Sequence, residues 1–134
     1  MSQEFKGILL TDFNDDVWKK FDIESIKRGV NSIIELSNIF VLYGELGLNE
    51  SMNINISNIS HIISNIIFED NVVYGDIKII STFSGKLALS LNGSFKPKIR
   101  CYGSVYSLEK IVTWDLVPVN LIEERNKIID NILK

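Results

Sequence analysis

The sequence predicts one α+β domain, and three observations lead to this prediction. Apolar residues between positions 23 and 34 recur at spacings of three and four, as on one face of an amphipathic helix. Residues 62–68 and 73–79 are apolar segments on either side of a short polar stretch, which is typical of an antiparallel hairpin. A chain of 134 residues can bury a core, and no repeat or linker divides it. Residues 1–134 are therefore expected to form a single domain.

Composition and charge exclude several classes of function. The chain is 46% hydrophobic and 23% charged, which is ordinary for a globular protein. A net charge of −3 without a basic cluster gives no reason to expect nucleic acid or an anionic membrane as a partner. No apolar run reaches the roughly 18 residues of a membrane span. The single cysteine excludes an internal disulfide and fits a reducing compartment, so a cytosolic protein is expected.

The first third of the chain predicts a strand, a loop, a helix and a second strand. Residues 5–10 form a short apolar run, which predicts the first strand. Residues 12–21 mix acidic, basic and aromatic side chains, as expected of a loop or a surface helical turn. A helix is expected over residues 22–37, with Asp22 as its N-cap. Residues 39–43 are continuously apolar, which favours a buried strand.

The middle of the chain predicts further strands and a short helix. Apolar and polar residues alternate over 52–56, as in a half-buried strand, and the hairpin follows with its turn at 69–71. Three large apolar residues, Phe83, Leu87 and Leu91, share a four-residue spacing, so a short helix that ends at Asn92-Gly93 is expected over residues 82–91.

Two strands and a last helix are predicted for the chain from residue 98 onward. Alternation over residues 98–105 places Arg100 on the opposite face from Cys101, and residues 111–117 form another strand. A final helix is expected from Asn120, with Glu123 in the capping-box position. Its apolar stripe either completes the core or pairs with a second copy of the chain.

Three residues are candidates for chemistry. His61 is the single histidine and the one classical general base near neutral pH, although a lone histidine at an apolar strand start is more often structural. Cys101 is a nucleophile if a base lowers its pKa, and otherwise a buried inert thiol. Arg100 is expected on a solvated face. One histidine and one cysteine offer no metal-ligand spacing, and no phosphate-binding motif occurs, so neither metal nor cofactor is expected.

Several short motifs between residues 44 and 120 follow one another in a distinctive order. They are Gly-Glu-Leu at 44–46, Ile-Ser-His at 59–61, Val-Tyr-Gly-Asp-Ile at 73–77, Ser-Thr-Phe-Ser-Gly-Lys at 81–86, Arg-Cys-Tyr-Gly-Ser-Val at 100–105 and Asp-Leu-Val-Pro-Val-Asn at 115–120. This order resembles the prohead core proteases of tailed phages. These are serine proteases with a fold related to the herpesvirus assemblin proteases, and they cleave scaffold and capsid proteins inside the prohead.

The resemblance implies a fold, a site and a setting. The implied fold is a small antiparallel β-barrel-like sheet flanked by about three helices, as in the herpesvirus proteases. His61 falls at the position of the family's catalytic histidine, and Arg100 matches an arginine that follows the family's serines. The implied partners are phage head or scaffold proteins or an active protease, with a homodimer as a further option. The implied location is the host cytoplasm, or the inside of the prohead or virion.

The sequence departs from the family where the nucleophile belongs. The two serine positions before the arginine hold Lys98 and Ile99, and neither side chain serves as an acyl-transfer nucleophile. We therefore expect a non-catalytic relative that binds or regulates in head assembly. Two alternatives remain open: an active protease that pairs His61 with Cys101 or Ser104, or an unrelated interaction module.

Overall fold

The computed structural model describes residues 3–49 and 51–119. These residues form six strands and two α-helices, with one 3₁₀ turn before the first helix and another before the third strand. In chain order the main elements are β1 (Gln3–Asp12), α1 (Ile23–Ile39), β2 (Leu42–Glu45), β3 (Ile59–Glu69), β4 (Val72–Ile79), α2 (Phe83–Ser90), β5 (Phe95–Ser104) and β6 (Ser107–Pro118). Neither helix is long and apolar enough to cross a membrane.

The predicted hairpin is confirmed, and it forms the centre of a four-stranded antiparallel sheet. The strand order is β1-β4-β3-β2, and the two hairpin strands pair from Glu69 opposite Val72 to His61 opposite Ile79. The two turn residues, Asp70 and Asn71, have φ values of 52° and 62°. Left-handed residues at both turn positions match the right-handed twist of a hairpin, which is why aspartate and asparagine occur there.

The last two strands form a separate antiparallel pair. β5 and β6 pair along their whole lengths, and a parallel bridge between Leu46 and Leu116 connects β6 to the end of β2. Trp114 is fully buried, and its indole N–H donates to the Thr11 hydroxyl on β1 at 2.8 Å. The described strands therefore form two linked sheets. They do not close into the single barrel-like sheet that the resemblance implied.

Helix α1 covers the core as the periodicity predicts. Asp22 caps its first turn by accepting from the Glu24 N–H at 3.3 Å. The side chains of Ile26, Val30 and Ile33 are buried. A Cβ on Gly29 would lie 2.9 Å from the Leu108 side chain, so this position of the helix stands against β6 without room for a larger residue.

One predicted strand is displaced, and another is wrong. The strand expected over residues 39–43 corresponds to β2, which begins only at Leu42 because α1 continues to Ile39, and Ile39 and Phe40 are 72% and 67% exposed. Residues 52–56 form an irregular segment and not a half-buried strand. The reason is that the backbone groups of this segment bind buried charged side chains, described below, and are not available to a sheet.

The short helix predicted after the hairpin is confirmed as α2, and its large apolar residues are not the ones that it buries. Phe83 and Leu87 are 77% and 45% exposed, and the buried face consists of Ser84, Gly85 and Ala88. A Cβ on Gly85 would lie 1.8 Å from the Ile80 carbonyl oxygen, so the helix approaches the sheet too closely for large side chains. The helix predicted from Asn120 lies outside the described residues.

The left-handed turn gives a first prediction. Asn71→Gly should leave stability within about 0.5 kcal/mol, because glycine adopts φ of 62° without strain. Asn71→Val should lower the free energy of unfolding by about 1–2 kcal/mol, because a β-branched residue is strained in this region. Urea unfolding of the two variants measures the difference. Equal stabilities would contradict this assignment of the turn.

Candidate functional site

His61 lies at the centre of the four-stranded sheet, in the register between Gly44 on β2 and Ile79 on β4. Its side chain has no solvent exposure. Nε2 lies 2.8 Å from the Trp114 carbonyl oxygen, and Nδ1 lies 2.7 Å from the Ser60 hydroxyl oxygen. A carbonyl only accepts, so Nε2 carries the proton and Nδ1 accepts from the Ser60 hydroxyl. Both ring nitrogens are therefore used inside the protein.

Gly44 makes this placement possible. A Cβ at this position would lie 2.1 Å from His61 Nε2 and 2.5 Å from the Trp114 carbonyl oxygen. Any side chain would push the imidazole away from β6. The glycine of the Gly-Glu-Leu motif is thus required for the histidine to cross from one sheet to the other.

Burial keeps the His61 ring neutral. Loss of solvation lowers its pKa from 6.5 to about 4, and the hydrogen bond to the Trp114 carbonyl opposes this only in part. A neutral imidazole is the form that a general base requires. However, the lone pair of Nδ1 is taken by Ser60, which is itself fully buried, and no solvent reaches the ring.

Arg100 lies in a buried cluster, which contradicts the predicted solvated face. Its side chain is 6% exposed and binds Asp115 through Nε–Oδ2 at 2.8 Å and Nη2–Oδ1 at 2.6 Å. Nη2 also binds Glu45 at 2.8 Å, and Nη1 donates to the carbonyls of Ser51 and Asn53, each at 3.2 Å. All five N–H groups of the guanidinium have acceptors. Register shifts on either side of residues 101–102 interrupt the simple alternation that the prediction assumed.

Glu45 extends this cluster into the loop that follows β2. Its carboxylate accepts from the Asn49 and Asn58 side chains and from the Asn55 backbone N–H, at distances of 2.9 to 3.3 Å. Burial alone raises the pKa of a carboxyl, but these donors and Arg100 hold the pKa of Glu45 below its ordinary value. Residues 51–58 are thus held by buried polar groups and not by strand pairing.

The pKa of Asp115 is shifted in the opposite direction from that of Glu45. It accepts from Arg100 and from the Glu45 backbone N–H at 3.1 Å. Burial raises the pKa of Asp115, against the lowering effect of the guanidinium and of the backbone donor. The bidentate geometry, with two contacts under 3 Å, is that of an arginine–carboxylate ion pair.

Glu45 and Asp115 were not predicted as site residues from the sequence. The available signal was a single acid within or beside an apolar strand segment, since Asp115 stands between Trp114 and Leu116. Charged side chains are almost never fully buried without a partner. An acid at such a position therefore indicates a buried cation elsewhere in the chain.

The His61 and Arg100 groups are separate, but they are held by adjacent residues of the same two strands, β2 and β6. His61 contacts Gly44 and Trp114, whereas Arg100 contacts the next residue of each strand, Glu45 and Asp115. The two polar groups are thus neighbours across β2 and β6. The other predicted candidates are not brought into this arrangement.

Cys101 and Ser104 are not hydrogen-bonded to His61. Cys101 is partly buried, and burial raises the pKa of its thiol against a weaker lowering effect of Lys98. Ser104 is exposed at the end of the β5–β6 hairpin, opposite Ser107. Neither residue has the base that an activated nucleophile needs.

Lys98 and Ile99, which the sequence resemblance aligned with the family's serines, line an open cleft of about 970 Å³ between β1 and β5. Lys98 is exposed, and Ile99 is partly buried opposite Trp114 in the β5–β6 register. The cleft also contains Asp12, Asp15 and Trp18. In the described residues, no group of three or more histidine, cysteine or acidic side chains is arranged to hold a metal ion.

Comparison with solved structures relates this fold to a known protein. The structure is similar to that of the bacteriophage T4 capsid assembly protease gp21, with a TM-score of 0.58 and 15% sequence identity. The similarity covers 86% of this chain and 90% of the protease. The chain has a prohead-protease-like fold. Scans against protein-family models and against curated proteins give no match.

The buried ion cluster gives a second prediction. Arg100→Met should lower the free energy of unfolding by about 3–5 kcal/mol, because Glu45 and Asp115 are left buried without their cation. The matched control is Lys98→Met on the same strand, which is exposed and should change stability by less than about 0.5 kcal/mol. Denaturant unfolding measures both variants. A similar small effect for each would contradict a buried, paired Arg100.

The pKa of His61 gives a third prediction. The unfolded chain binds a proton near pH 6.5 and the folded chain only near pH 4, so stability is highest above pH 6.5 and falls as the pH falls toward 4. The loss should total about 3 kcal/mol, at 1.36 kcal/mol per pKa unit. His61→Gln retains a donor toward Trp114 but does not titrate, so this contribution should disappear. The measurement is the difference between the two unfolding free energies across pH 4–7. A difference that stays constant with pH would be inconsistent with a neutral buried His61.

Proposed function

We propose that this protein acts in phage capsid assembly or maturation as a non-catalytic relative of the prohead proteases. The observation that carries the proposal is the state of His61. Its two ring nitrogens are occupied by Ser60 and Trp114, and its side chain has no exposure. A general base must reach the proton that it removes from a nucleophile or from water. In this fold the histidine is retained as an internal hydrogen-bonding residue.

The nucleophile side of the site supports the same proposal. Lys98 and Ile99 occupy the serine positions implied by the resemblance, and Lys98 is exposed on the strand surface. An amine becomes a nucleophile near neutral pH only when desolvation or a neighbouring cation lowers its pKa, and an exposed lysine is not desolvated. Arg100 is fully engaged by Asp115, Glu45 and two backbone carbonyls, so it is not free to bind an oxyanion.

The proposed role is binding or regulation in head assembly. The partners that we propose are head or scaffold proteins, or an active protease of the same fold. The cleft between β1 and β5 remains open in this chain and carries both acidic and basic side chains. A protein that keeps the shape of a protease but lacks its nucleophile is suited to occupying a site in the assembly without cutting.

One observation favours a second candidate, an active protease. The Ser60 hydroxyl lies 2.7 Å from His61 Nδ1, which is the distance expected of a nucleophile and its base. Because Ser60 is fully buried, this pair requires an opening of the structure to meet a substrate. The Cys101 and Ser104 alternatives lack this contact and are less supported.

A fourth prediction separates the two candidates. Incubation with a serine-directed fluorophosphonate and with a thiol-directed reagent should give no histidine-dependent labelling, because no nucleophile among residues 3–49 and 51–119 is both exposed and paired with His61. Intact mass measurement of wild type, Ser60→Ala and His61→Gln gives the result. Stoichiometric labelling of wild type that both variants lose would establish the active-protease alternative.

A regulatory role can be tested only in the presence of an active protease. Mixing the chain with an active prohead protease and its scaffold substrate should give a complex by size-exclusion chromatography or a changed rate of scaffold cleavage. Lysozyme at equal concentration controls for nonspecific effects. Absence of both binding and altered cleavage would contradict the regulatory role.

A further inference from the structure

The four-stranded sheet exposes a row of apolar side chains on its outward face. Tyr74 on β4 lies in register with Leu9 on β1 and with Ile67 on β3, so the three side chains are neighbours across three strands. Tyr74 is 37% exposed, Leu9 50% and Ile67 54%. Single exposed apolar residues are normal on a protein surface, whereas three adjacent ones form a patch that a partner can cover. We call Leu9, Tyr74 and Ile67 the outer row.

The core does not use the outer row, because side chains alternate between the two faces of a strand. Val73 on β4 is fully buried, and the next residue along the strand, Tyr74, points away from the core. On β3, Ile66 is likewise buried beside the exposed Ile67. In the part of the chain that the structure describes, no element covers the outer row.

Acidic side chains border the outer row on both sides. Val72 precedes Tyr74 by two residues on β4, and its register partners are Asp12 on β1 and Glu69 on β3, both exposed. Asp76 follows Tyr74 by two residues on the same face. Alternate residues of a strand are about 7 Å apart. Carboxylates therefore lie about one such step from the row on either side.

The carboxylate of Asp76 stays charged beside the row. It accepts from the Asn65 side chain and from the Gly7 backbone N–H, each at 2.8 Å. These two hydrogen bonds lower the pKa of Asp76, and the nearby Lys6 ammonium adds to the effect. The outer row is thus bordered by three carboxylates, one of which has a cation beside it.

The charges around the outer row disfavour a second copy of this chain as its partner. In a two-fold dimer the same patch meets itself, so the three bordering carboxylates would meet like charges. Lys6 balances one of them. Farther along the face, Lys78 is in register with Glu4, and this pair adds no net charge. The surface is therefore complementary to a partner that carries basic residues.

The dimensions of the outer row fit an α-helix that lies across the strands. Neighbouring strands are about 4.8 Å apart, so Leu9 and Ile67 are separated by about 10 Å. Two turns of an α-helix have about the same length. An amphipathic helix presents an apolar stripe over such a length, with polar residues along both borders of the stripe. Lysine or arginine at these borders would lie opposite the carboxylates of the sheet.

We propose that the outer row is the docking surface for a basic amphipathic helix of another protein. The apolar stripe of the helix covers the row, and its lysine or arginine residues meet Asp12, Glu69 and Asp76. Tyr74, at the centre of the row, is of a residue type on which binding energy concentrates. The charge pairs at the borders set the orientation of the helix and raise its association rate. This inference goes beyond the proposed function and does not depend on it.

Binding of a defined helical peptide tests the proposal. The probe is a fluorescently labelled peptide, Leu-Lys-Lys-Leu-Leu-Lys-Leu-Leu-Lys-Lys-Leu-Leu-Lys-Leu, and its control has glutamate in place of every lysine. In fluorescence anisotropy the lysine peptide should bind at one site and the glutamate peptide should not bind. Tyr74→Ser and Ile67→Ser should each weaken binding by about tenfold. Tyr43→Ser is the matched control, since Tyr43 is also 37% exposed on this sheet, and it should leave binding unchanged.

Three outcomes of this experiment would overturn the proposal. Absence of binding would do so, as would an equal loss of binding for Tyr43→Ser and Tyr74→Ser. Sedimentation of the protein alone gives the third outcome. A concentration-dependent dimer that Tyr74→Ser abolishes would assign the outer row to a second copy of the chain.

NMR of the unaltered protein gives a second measurement that needs no variant. Titration with the lysine peptide should shift the amide signals of Leu9, Ile67 and Tyr74 most strongly. Binding should weaken several-fold when the ionic strength rises from about 0.05 M to about 0.5 M, because the charge pairs at the borders are screened. Shifts concentrated outside β1, β3 and β4, or affinity that salt does not change, would contradict the proposal.

Discussion

The ion cluster of Arg100, Asp115 and Glu45 is the interaction on which the arrangement of this protein depends. A guanidinium and two carboxylates are removed from water here, and this is tolerable only because every N–H of the arginine has an acceptor. The acceptors come from β6, from β2 and from the loop that follows β2. The cluster thereby fixes a segment that has almost no regular structure, and through Asn58 it also fixes the start of α2.

The same two strands that supply the carboxylates also enclose His61. Gly44 leaves room for the imidazole, and the Trp114 carbonyl accepts a hydrogen bond from its Nε2–H. These two residues stand one position before Glu45 and Asp115 respectively. This spacing explains why the motifs around residues 44, 61, 100 and 115 occur together in one chain. They form a packed polar frame that joins the two sheets. The fold is shared with a phage capsid assembly protease, while in this chain the polar groups of the frame are used for internal hydrogen bonds.

The sequence correctly predicted those elements in which the apolar residues of the local pattern are also the buried ones. Helix α1 and the β3–β4 hairpin each bury the apolar face that the periodicity indicates, and Asp22 and the Asp70–Asn71 turn supply the expected local chemistry. The resemblance of short motifs also predicted a prohead-protease-like fold, although the barrel-like sheet that it implied is not formed by the described strands. His61 was predicted as the site residue, but its contacts depend on pairings between distant strands that periodicity does not reveal.

The wrong predictions have a common physical cause. Periodicity assumes that apolar residues are buried and that charged residues are exposed. Residues 52–56 alternate like a strand, but the carbonyls of Ser51 and Asn53 are taken by Arg100 and the N–H of Asn55 by Glu45, which no alternation pattern reveals. On α2 the close approach of Gly85 to Ile80 leaves room only for small residues on the buried face, so the large residues Phe83 and Leu87 are exposed. Arg100 was placed in solvent because its partners lie 15 and 55 residues away in the chain.

His61 is enclosed in this structure, and both of its ring nitrogens are used in internal hydrogen bonds. Because the chain has one histidine, an NMR titration of its imidazole nitrogens in the folded protein measures this state without interference. We expect a single Nε2-protonated tautomer from neutral pH down to pH 5, with a pKa of about 4. A pKa near 6.5, or the Nδ1-protonated tautomer, would contradict it.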